Sequence, residues 1–106
     1  YLIEDSAHSL GSYYKKKHHG NFGIASSMSF SMPKIITMGQ GGCVLTDSKQ
    51  LEKKLSRFKD FGRDSSGNDI HKYTGYNFKI TDMQSVLGNA QLINIKRKIQ
   101  KKKENI

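Results

Sequence analysis

The chain has 106 residues, which suits one domain with a hydrophobic core of its own. Its one cysteine excludes an internal disulfide, as expected of a reducing, cytoplasmic compartment, and no apolar stretch is long enough to predict a membrane span. The net charge is +9, but residues 96–103 hold six basic groups and no acid, which is typical of a solvated helix face rather than a nucleic-acid interface.

Strand patterns in the first half of the chain alternate with turn signals. Residues 1–3, followed by Glu4 and Asp5, are typical of a buried parallel strand that ends in acids. A short helix is expected over residues 6–12, and residues 26–30 favour a second strand. Pro33 interrupts regular structure, because the residue before a proline is pushed away from helical angles.

The second half is expected to contain more helix. A glycine turn at residues 39–42 precedes a predicted strand at 43–46, and a helix is predicted from about Lys49 to Phe61. Residues 81–84 form a capping box that opens a long helical region. Its predicted buried stripe consists of Met83, Val86, Leu87 and Ala90, and it continues after a bend. Strands mixed with helices indicate an α/β fold.

Several kinds of site find little support in the residue spacing. The four histidines lack the spacing and accompanying ligands of a zinc site, so no metal is expected. The glycines at 39–42 match neither a phosphate loop nor a dinucleotide fingerprint. No segment resembles the turn that presents a nucleophilic serine in hydrolases.

Asp5 and Lys34 remain as candidates for chemistry. Lys34 lies between Pro33 and two isoleucines, a setting that disfavours the charged ammonium and exposes a nucleophilic amine. Asp5 follows a strand, and sites in open α/β sheets form beyond the carboxyl ends of strands. A surface lysine and a capping aspartate would show the same pattern, so these residues alone leave the function open.

Five motifs, in order, resemble those of the DegT/DnrJ-type sugar aminotransferases, which are fold type I enzymes that use pyridoxal phosphate. They cover essentially the whole chain and lie at residues 3–11, 20–23, 29–34, 39–46 and 75–84. The resemblance implies part of the large cofactor-binding domain, with a central, mostly parallel sheet flanked by helices. It also implies that a phosphate-loop segment precedes residue 1 and that a small domain follows residue 106.

The resemblance implies a role for each candidate residue. Lys34 would form the Schiff base, Asp5 would pair with the pyridine nitrogen, and His8 would lie against the cofactor ring. Ser29 would contact the cofactor phosphate, and Asn77 would reach the phosphate of the neighbouring subunit in a homodimer. The expected reaction moves an amino group, with glutamate as the implied donor, to a nucleotide-linked keto sugar for polysaccharide or amino-sugar biosynthesis.

Two departures and two alternatives accompany the resemblance. Ile24 stands where the family usually has an acid, and Lys79 stands where an arginine is common. A related branch of dehydratases replaces the lysine with histidine, so Lys34 favours an aminotransferase. A catalytically inactive homologue or partner subunit is one alternative, and a basic nucleic-acid-binding module is the other.

Overall fold

The structure, a computed structural model, describes residues 1–105 and divides them into two compact units. The first unit contains residues 1–45 and the chain from Thr81 onward, and the second unit is Thr46–Ile80. Strands and helices both occur in the described residues, in agreement with the expected α/β class.

A three-stranded mixed sheet forms the first unit. Its strands are β1 (Ile3–Asp5), β4 (Ala25–Ser29) and β5 (Gly42–Leu45), in the order β1-β4-β5. Strand β4 runs parallel to β1 and antiparallel to β5. The core residues of β4 are Ala25, Ser26 and Met28, whereas Ile3 of β1 is 71% exposed, so the expected burial of β1 is wrong for the chain described here.

Residues 6–12 form turns instead of the expected helix. The amide of Ser9 donates to the Ser6 carbonyl and that of Ser12 to the Ser9 carbonyl, and Gly11 has φ +83°. Serine and aspartate side chains offer the backbone local partners that compete with a helix, which explains the error. A hairpin of β2 (Tyr13–Tyr14) and β3 (Lys17–His18) follows.

The second unit contains one helix and a long irregular segment. Helix α1 (Lys49–Lys59) begins at Ser48, whose side chain accepts a hydrogen bond from the Leu51 amide at 3.3 Å. Beyond it, Gly62 has φ +74°, and a β-carbon there would lie 1.8 Å from the Tyr73 carbonyl oxygen. Helix α1 ends at Lys59, two residues before the predicted end at Phe61, and the close backbone approach requires a glycine at position 62.

Helices α2 (Asp82–Leu92) and α3 (Ile95–Glu104) complete the first unit, and residues 93–94 separate them where a bend was expected. The capping box of Thr81 and Gln84 is present. The expected buried stripe of α2 is wrong for the chain described here, because its four residues are all exposed: Met83, Val86, Leu87 and Ala90. The buried or half-buried residues of α2 are small or polar, namely Gln84, Ser85, Gly88 and Gln91.

Candidate active site

Asp5 and Ser29 lie at the same edge of the sheet. They end strands β1 and β4, which are parallel, and Asp5 is paired with Ser27 in the register. Ser29 therefore lies two residues further along the neighbouring strand. Asp5 is exposed and accepts a hydrogen bond from the Ala7 amide at 3.1 Å. This edge presents a carboxylate and a hydroxyl beyond the carboxyl ends of two adjacent strands.

The neighbouring acid, Glu4, has a different environment. Its carboxylate accepts hydrogen bonds from the amides of Gly20 at 2.8 Å, Phe22 at 2.6 Å and Gly23 at 2.8 Å. The Gly23 amide, together with those of Gly20 and Phe22, lowers the pKa of Glu4 below its ordinary value. Glu4 thus holds the turn at residues 20–23. Asp5 faces the other way, because successive side chains of a strand point to opposite faces.

Lys34 and His8 are brought together although 26 residues separate them. The Lys34 Nζ lies 2.8 Å from Nε2 and 3.3 Å from Nδ1 of the His8 ring. Lys34 is half-buried and His8 is exposed, so the pair is open to solvent on one side. Among the described residues, no carboxylate lies within ion-pair distance of the Lys34 amine. The amine therefore remains available to a ligand.

Lys34 belongs to an irregular loop, residues 30–41, that connects β4 to β5. The loop is closed by hydrogen bonds of 2.8 Å from the Phe30 amide to the Gly41 carbonyl and from the Met38 amide to the Phe30 carbonyl. Ile36 is only 3% exposed and anchors the loop in the core. The Lys34 loop leaves the sheet directly after Ser29, and its lysine contacts His8, which lies three residues after Asp5.

The Ser29 hydroxyl is one of a pair. Its oxygen lies 3.1 Å from the Ser31 hydroxyl and accepts a hydrogen bond from the Ser31 amide at 3.3 Å. Both residues are half-buried. Two hydroxyls and the start of the Lys34 loop form a small polar group that can donate to an anion such as phosphate.

Asn77 lies in the second unit, in an irregular segment of residues 75–79 called here the Asn77 segment. Asn77 is exposed, and its Oδ1 accepts a hydrogen bond from the Lys79 amide at 3.4 Å. A backbone bridge pairs it with Asp60. The structure therefore groups Asp5, His8, Ser29 and Lys34 in the first unit and Asn77 in the second.

The carboxylate of Asp60 fixes the Asn77 segment. It is 7% exposed and accepts hydrogen bonds from Lys79 at 2.8 Å, Arg63 at 2.5 Å and Ser66 at 3.0 Å. The Lys79 ammonium, and next the Arg63 guanidinium, hold the pKa of Asp60 well below its usual range. Lys79, which stands where an arginine is common in the family, is thus engaged within its own unit.

The side chains at the sheet edge fit pyridoxal phosphate by their chemistry. Lys34 supplies an amine for the cofactor's aldehyde, and Asp5 supplies an exposed carboxylate for a protonated ring nitrogen. The hydroxyls of Ser29 and Ser31 suit a phosphate. Within residues 1–105, no group of three or more potential ligands could hold a metal ion, and no helix is long and apolar enough to cross a membrane.

Sequence reasoning missed four residues that position the site: Glu4, Asp60, Gln91 and Lys98. The last two hold the Lys34 loop by hydrogen bonds to its backbone. A signal was present in α2, because Gln84, Gly88 and Gln91 recur at helical spacing and define a small, polar face. The apolar residues on the opposite face predicted that face to be the buried one.

Comparison with known proteins identifies the family. The model of the DegT/DnrJ/EryC1/StrS aminotransferase family matches residues 1–106. The lipopolysaccharide biosynthesis protein RfbH of Salmonella typhimurium is 37% identical over 99% of this chain and 30% of its own length. The dTDP-4-dehydro-2,6-dideoxy-D-glucose 3-dehydratase of Saccharopolyspora spinosa is 36% identical over 90% of this chain and 26% of its own length.

A solved structure supports the same assignment. Helicobacter pylori PseC, an aminotransferase involved in the biosynthesis of pseudoaminic acid, superposes with a TM-score of 0.80 and is 37% identical. The match covers 88% of this chain and 26% of PseC, and it confirms the expected fold class. The chain thus spans less than a third of the length of these three proteins.

Proposed function

The chain belongs to the DegT/DnrJ/EryC1/StrS aminotransferase family, and on that premise we propose that the whole protein is a pyridoxal-phosphate-dependent aminotransferase. Its substrates are a nucleotide-linked keto sugar and an amino donor, glutamate. Residues 1–106 belong to the large cofactor-binding domain of a longer, cytoplasmic protein. The observation that carries the proposal is the contact of 2.8 Å between the Lys34 amine and His8, which lies three residues after Asp5 at the end of β1.

Lys34 has two tasks in this reaction. Its Nζ would hold the cofactor through the aldehyde that the cofactor supplies. The same amine, once free, would carry a proton to and from the α-carbon of the amino donor. The absence of an ion pair in the described residues suits both tasks, because a carboxylate partner would keep the amine charged and engaged.

The cofactor, when bound, supplies a reactive aldehyde and a pyridinium ring that accepts electron density from the bonds to the α-carbon. Asp5 would stabilise the protonated ring nitrogen with its carboxylate. His8, which contacts Lys34 Nζ, would lie against the ring and orient the amine. Ser29 would donate its hydroxyl to the cofactor phosphate. These four residues would bind and orient the cofactor, and Lys34 would also move the proton.

The presence of Lys34 also separates transamination from the dehydration named for the Saccharopolyspora relative. In a related branch of dehydratases, a histidine replaces this lysine. A lysine amine can both hold the cofactor and be regenerated when the amino group has been transferred. We therefore favour transamination over dehydration, and over an inactive homologue that would have no use for a paired Lys34 and His8.

The active site is shared within a homodimer. Asn77 is exposed and its side-chain amide NH₂ is available to donate to a phosphate of the partner subunit. A charged acceptor makes such a hydrogen bond stronger than one to a neutral group. Asp60 and Lys79 fix the backbone around Asn77 and so keep this amide in place.

Chemical trapping tests the assignment of Lys34. The full-length protein is expected to be yellow with pyridoxal phosphate, and borohydride reduction followed by peptide mapping should place the cofactor's mass on Lys34. Lys49 serves as an internal control, because it is an exposed lysine paired with Glu52 at 3.2 Å. An adduct on Lys49 or another lysine, with Lys34 unmodified, would refute the proposal.

A further inference from the structure

One side chain of α2 satisfies both backbone groups of a residue in the Lys34 loop. The Gln91 Nε2 donates to the Thr37 carbonyl at 2.6 Å, and the Gln91 Oε1 accepts from the Thr37 amide at 3.2 Å. Thr37 lies outside any helix or strand, so its backbone has no neighbouring strand to pair with. The amide of Gln91 therefore replaces the pairing that a sheet would supply.

Lys98 of α3 fixes the orientation of that amide. Its Nζ donates to the Gln91 Oε1 at 2.7 Å and to the Ile35 carbonyl at 3.3 Å. An ammonium has donors only, so the oxygen of Gln91 must face it and the NH₂ must face the Thr37 carbonyl. Lys98 and Gln91 together hold the backbone at two points, Ile35 and Thr37.

Packing makes the contact between α2 and the loop close. A β-carbon at Gly88 would lie 3.1 Å from the Met38 sulfur, and Met38 is 8% exposed. The helix can therefore approach the loop closely enough for the Gln91 side chain to reach the backbone of Thr37. The loop is held by packing at residues 36 and 38 and by hydrogen bonds at residues 35 and 37.

We propose that Gln91, oriented by Lys98, is a positioning residue for Lys34. Gln91 holds Thr37, three residues after the lysine, and Lys98 holds Ile35, the residue directly after it, so the pair limits where the Lys34 amine can reach. The inference rests on the proposed role of Lys34 as the attachment point. Because a lysine stem has four rotatable bonds, the position of its backbone decides how often the amine reaches a bound aldehyde in the productive geometry.

The test compares Gln91→Met with a matched control, Gln100→Met, in the full-length protein. Both changes remove an amide of similar size, but Gln100 donates only to Glu104 on the exposed side of α3. Amide hydrogen exchange of residues 35–38 is measured first, in the cofactor-free protein. Gln91→Met should raise the exchange rate there roughly tenfold, about the effect of losing one net hydrogen bond, while Gln100→Met leaves it unchanged.

The second measurement is the rate at which Lys34 captures added pyridoxal phosphate, followed by borohydride trapping and mass spectrometry. Gln91→Met should slow capture by about the same factor, and Lys98→Met should also slow it. Lys96→Met, a change at an exposed lysine of the same helix, is the control for Lys98→Met and should leave the capture rate unchanged. If Gln91→Met does not fold, the capture and exchange rates of Lys98→Met test the proposal instead. Capture or exchange at the wild-type rate in the variants of Gln91 and Lys98 would overturn the proposal.

The two proposals fail in different ways. If the wild-type protein traps no cofactor on Lys34, the proposed function is wrong, and the exchange measurement alone then shows whether Gln91 fixes the loop. If the wild-type protein traps the cofactor on Lys34 and the variants do so equally fast, the function stands and the positioning role of Gln91 is wrong.

Discussion

The Lys34 loop and the Asn77 segment are both irregular, yet different chemistry holds them in place. In the first, the neutral amide of Gln91 pairs with the backbone of Thr37, with Lys98 as its support. In the second, the buried carboxylate of Asp60 accepts hydrogen bonds from the cations Lys79 and Arg63. A neutral amide holds its loop at any ordinary pH, whereas a carboxylate does so only while it is ionised.

The comparison also shows what each region leaves available. Lys34 keeps its amine out of any described ion pair, because the loop is held through its backbone. Asn77 remains exposed, and the neighbouring Lys79 side chain makes the ionic contact with Asp60. In both regions a neighbouring residue supplies the structural contact, and the candidate cofactor-binding side chain, Lys34 or Asn77, is left to bind a ligand.

The largest expected effect comes from Lys34→Ala. Loss of the attachment point and of the proton carrier should slow the half-reaction with glutamate by roughly 10²–10⁴-fold, the usual range for general acid–base catalysis. Stopped-flow absorbance of the full-length protein, saturated with cofactor, measures this rate. Lys49→Ala is the control and should react like wild type. A Lys34→Ala protein with an undiminished rate would contradict the assignment of Lys34.

Asp5→Asn is expected to have the next largest effect. The substitution keeps the shape of the strand end but removes the anion opposite the ring nitrogen, which should slow the same half-reaction by roughly 10²–10³-fold. Asp47→Asn, a change of the same kind at an exposed residue, is the matched control. An equal rate for Asp5→Asn and Asp47→Asn would show that Asp5 has no part in stabilising the reacting ring.

Changes in the Asn77 segment should affect cofactor binding more than chemistry. Asn77→Ala should weaken the binding of pyridoxal phosphate by about one to two powers of ten, the effect of losing one hydrogen bond to a charged group. Equilibrium dialysis of the full-length protein measures this affinity.

Mixing variants then tests whether the site is shared. Lys34→Ala dimers are combined with Asn77→Asp dimers, whose new carboxylate should repel the cofactor phosphate and abolish its binding. Each variant is first shown to be inactive alone, and subunit exchange is demonstrated separately. If Asn77 serves the partner subunit, mixed dimers collect both lesions in one site and leave the other intact, so activity returns. Demonstrated exchange without any return of activity would mean that Asn77 acts in its own subunit.

The smallest effect expected is a difference in acid sensitivity between the two regions. The pKa of Asp60 is lowered in the folded protein, so its contribution to stability is complete above the ordinary aspartate value of about 4 and is lost as the pH falls through the lower folded value. Amide exchange of residues 76–79, corrected for intrinsic rates, should therefore accelerate in acid more than exchange of residues 35–38.

Asp60→Asn provides the control for this comparison. It removes the titrating group while keeping its size, so exchange of residues 76–79 should be faster than wild type at neutral pH and should change less in acid. The Lys34 loop of the same variant should exchange as in wild type. Equal acid sensitivity of the two regions in the wild-type protein would show that Asp60 does not govern the Asn77 segment.

Local sequence signals predicted the regular elements well. The capping box of Thr81 and Gln84 and the start of α1 at Lys49 each depend on bonds within a few residues, so they can be predicted without a tertiary structure. The serine-rich run at 6–12 shows the limit of such reasoning. Its side chains and the bond from the Ser6 amide to the Ser27 carbonyl favour turns over the expected helix.

The sequence by itself determined the family and the types of chemical group at the candidate site, because five ordered motifs identify both. Only the tertiary structure decided which residues meet: Lys34 with His8, Gln91 with Thr37, and Asp60 with Lys79. It also decided which face of α2 turns toward the Lys34 loop. The loop's unpaired backbone groups require hydrogen-bonding partners, so the polar face lies against them, and hydrophobic periodicity alone indicated the opposite face.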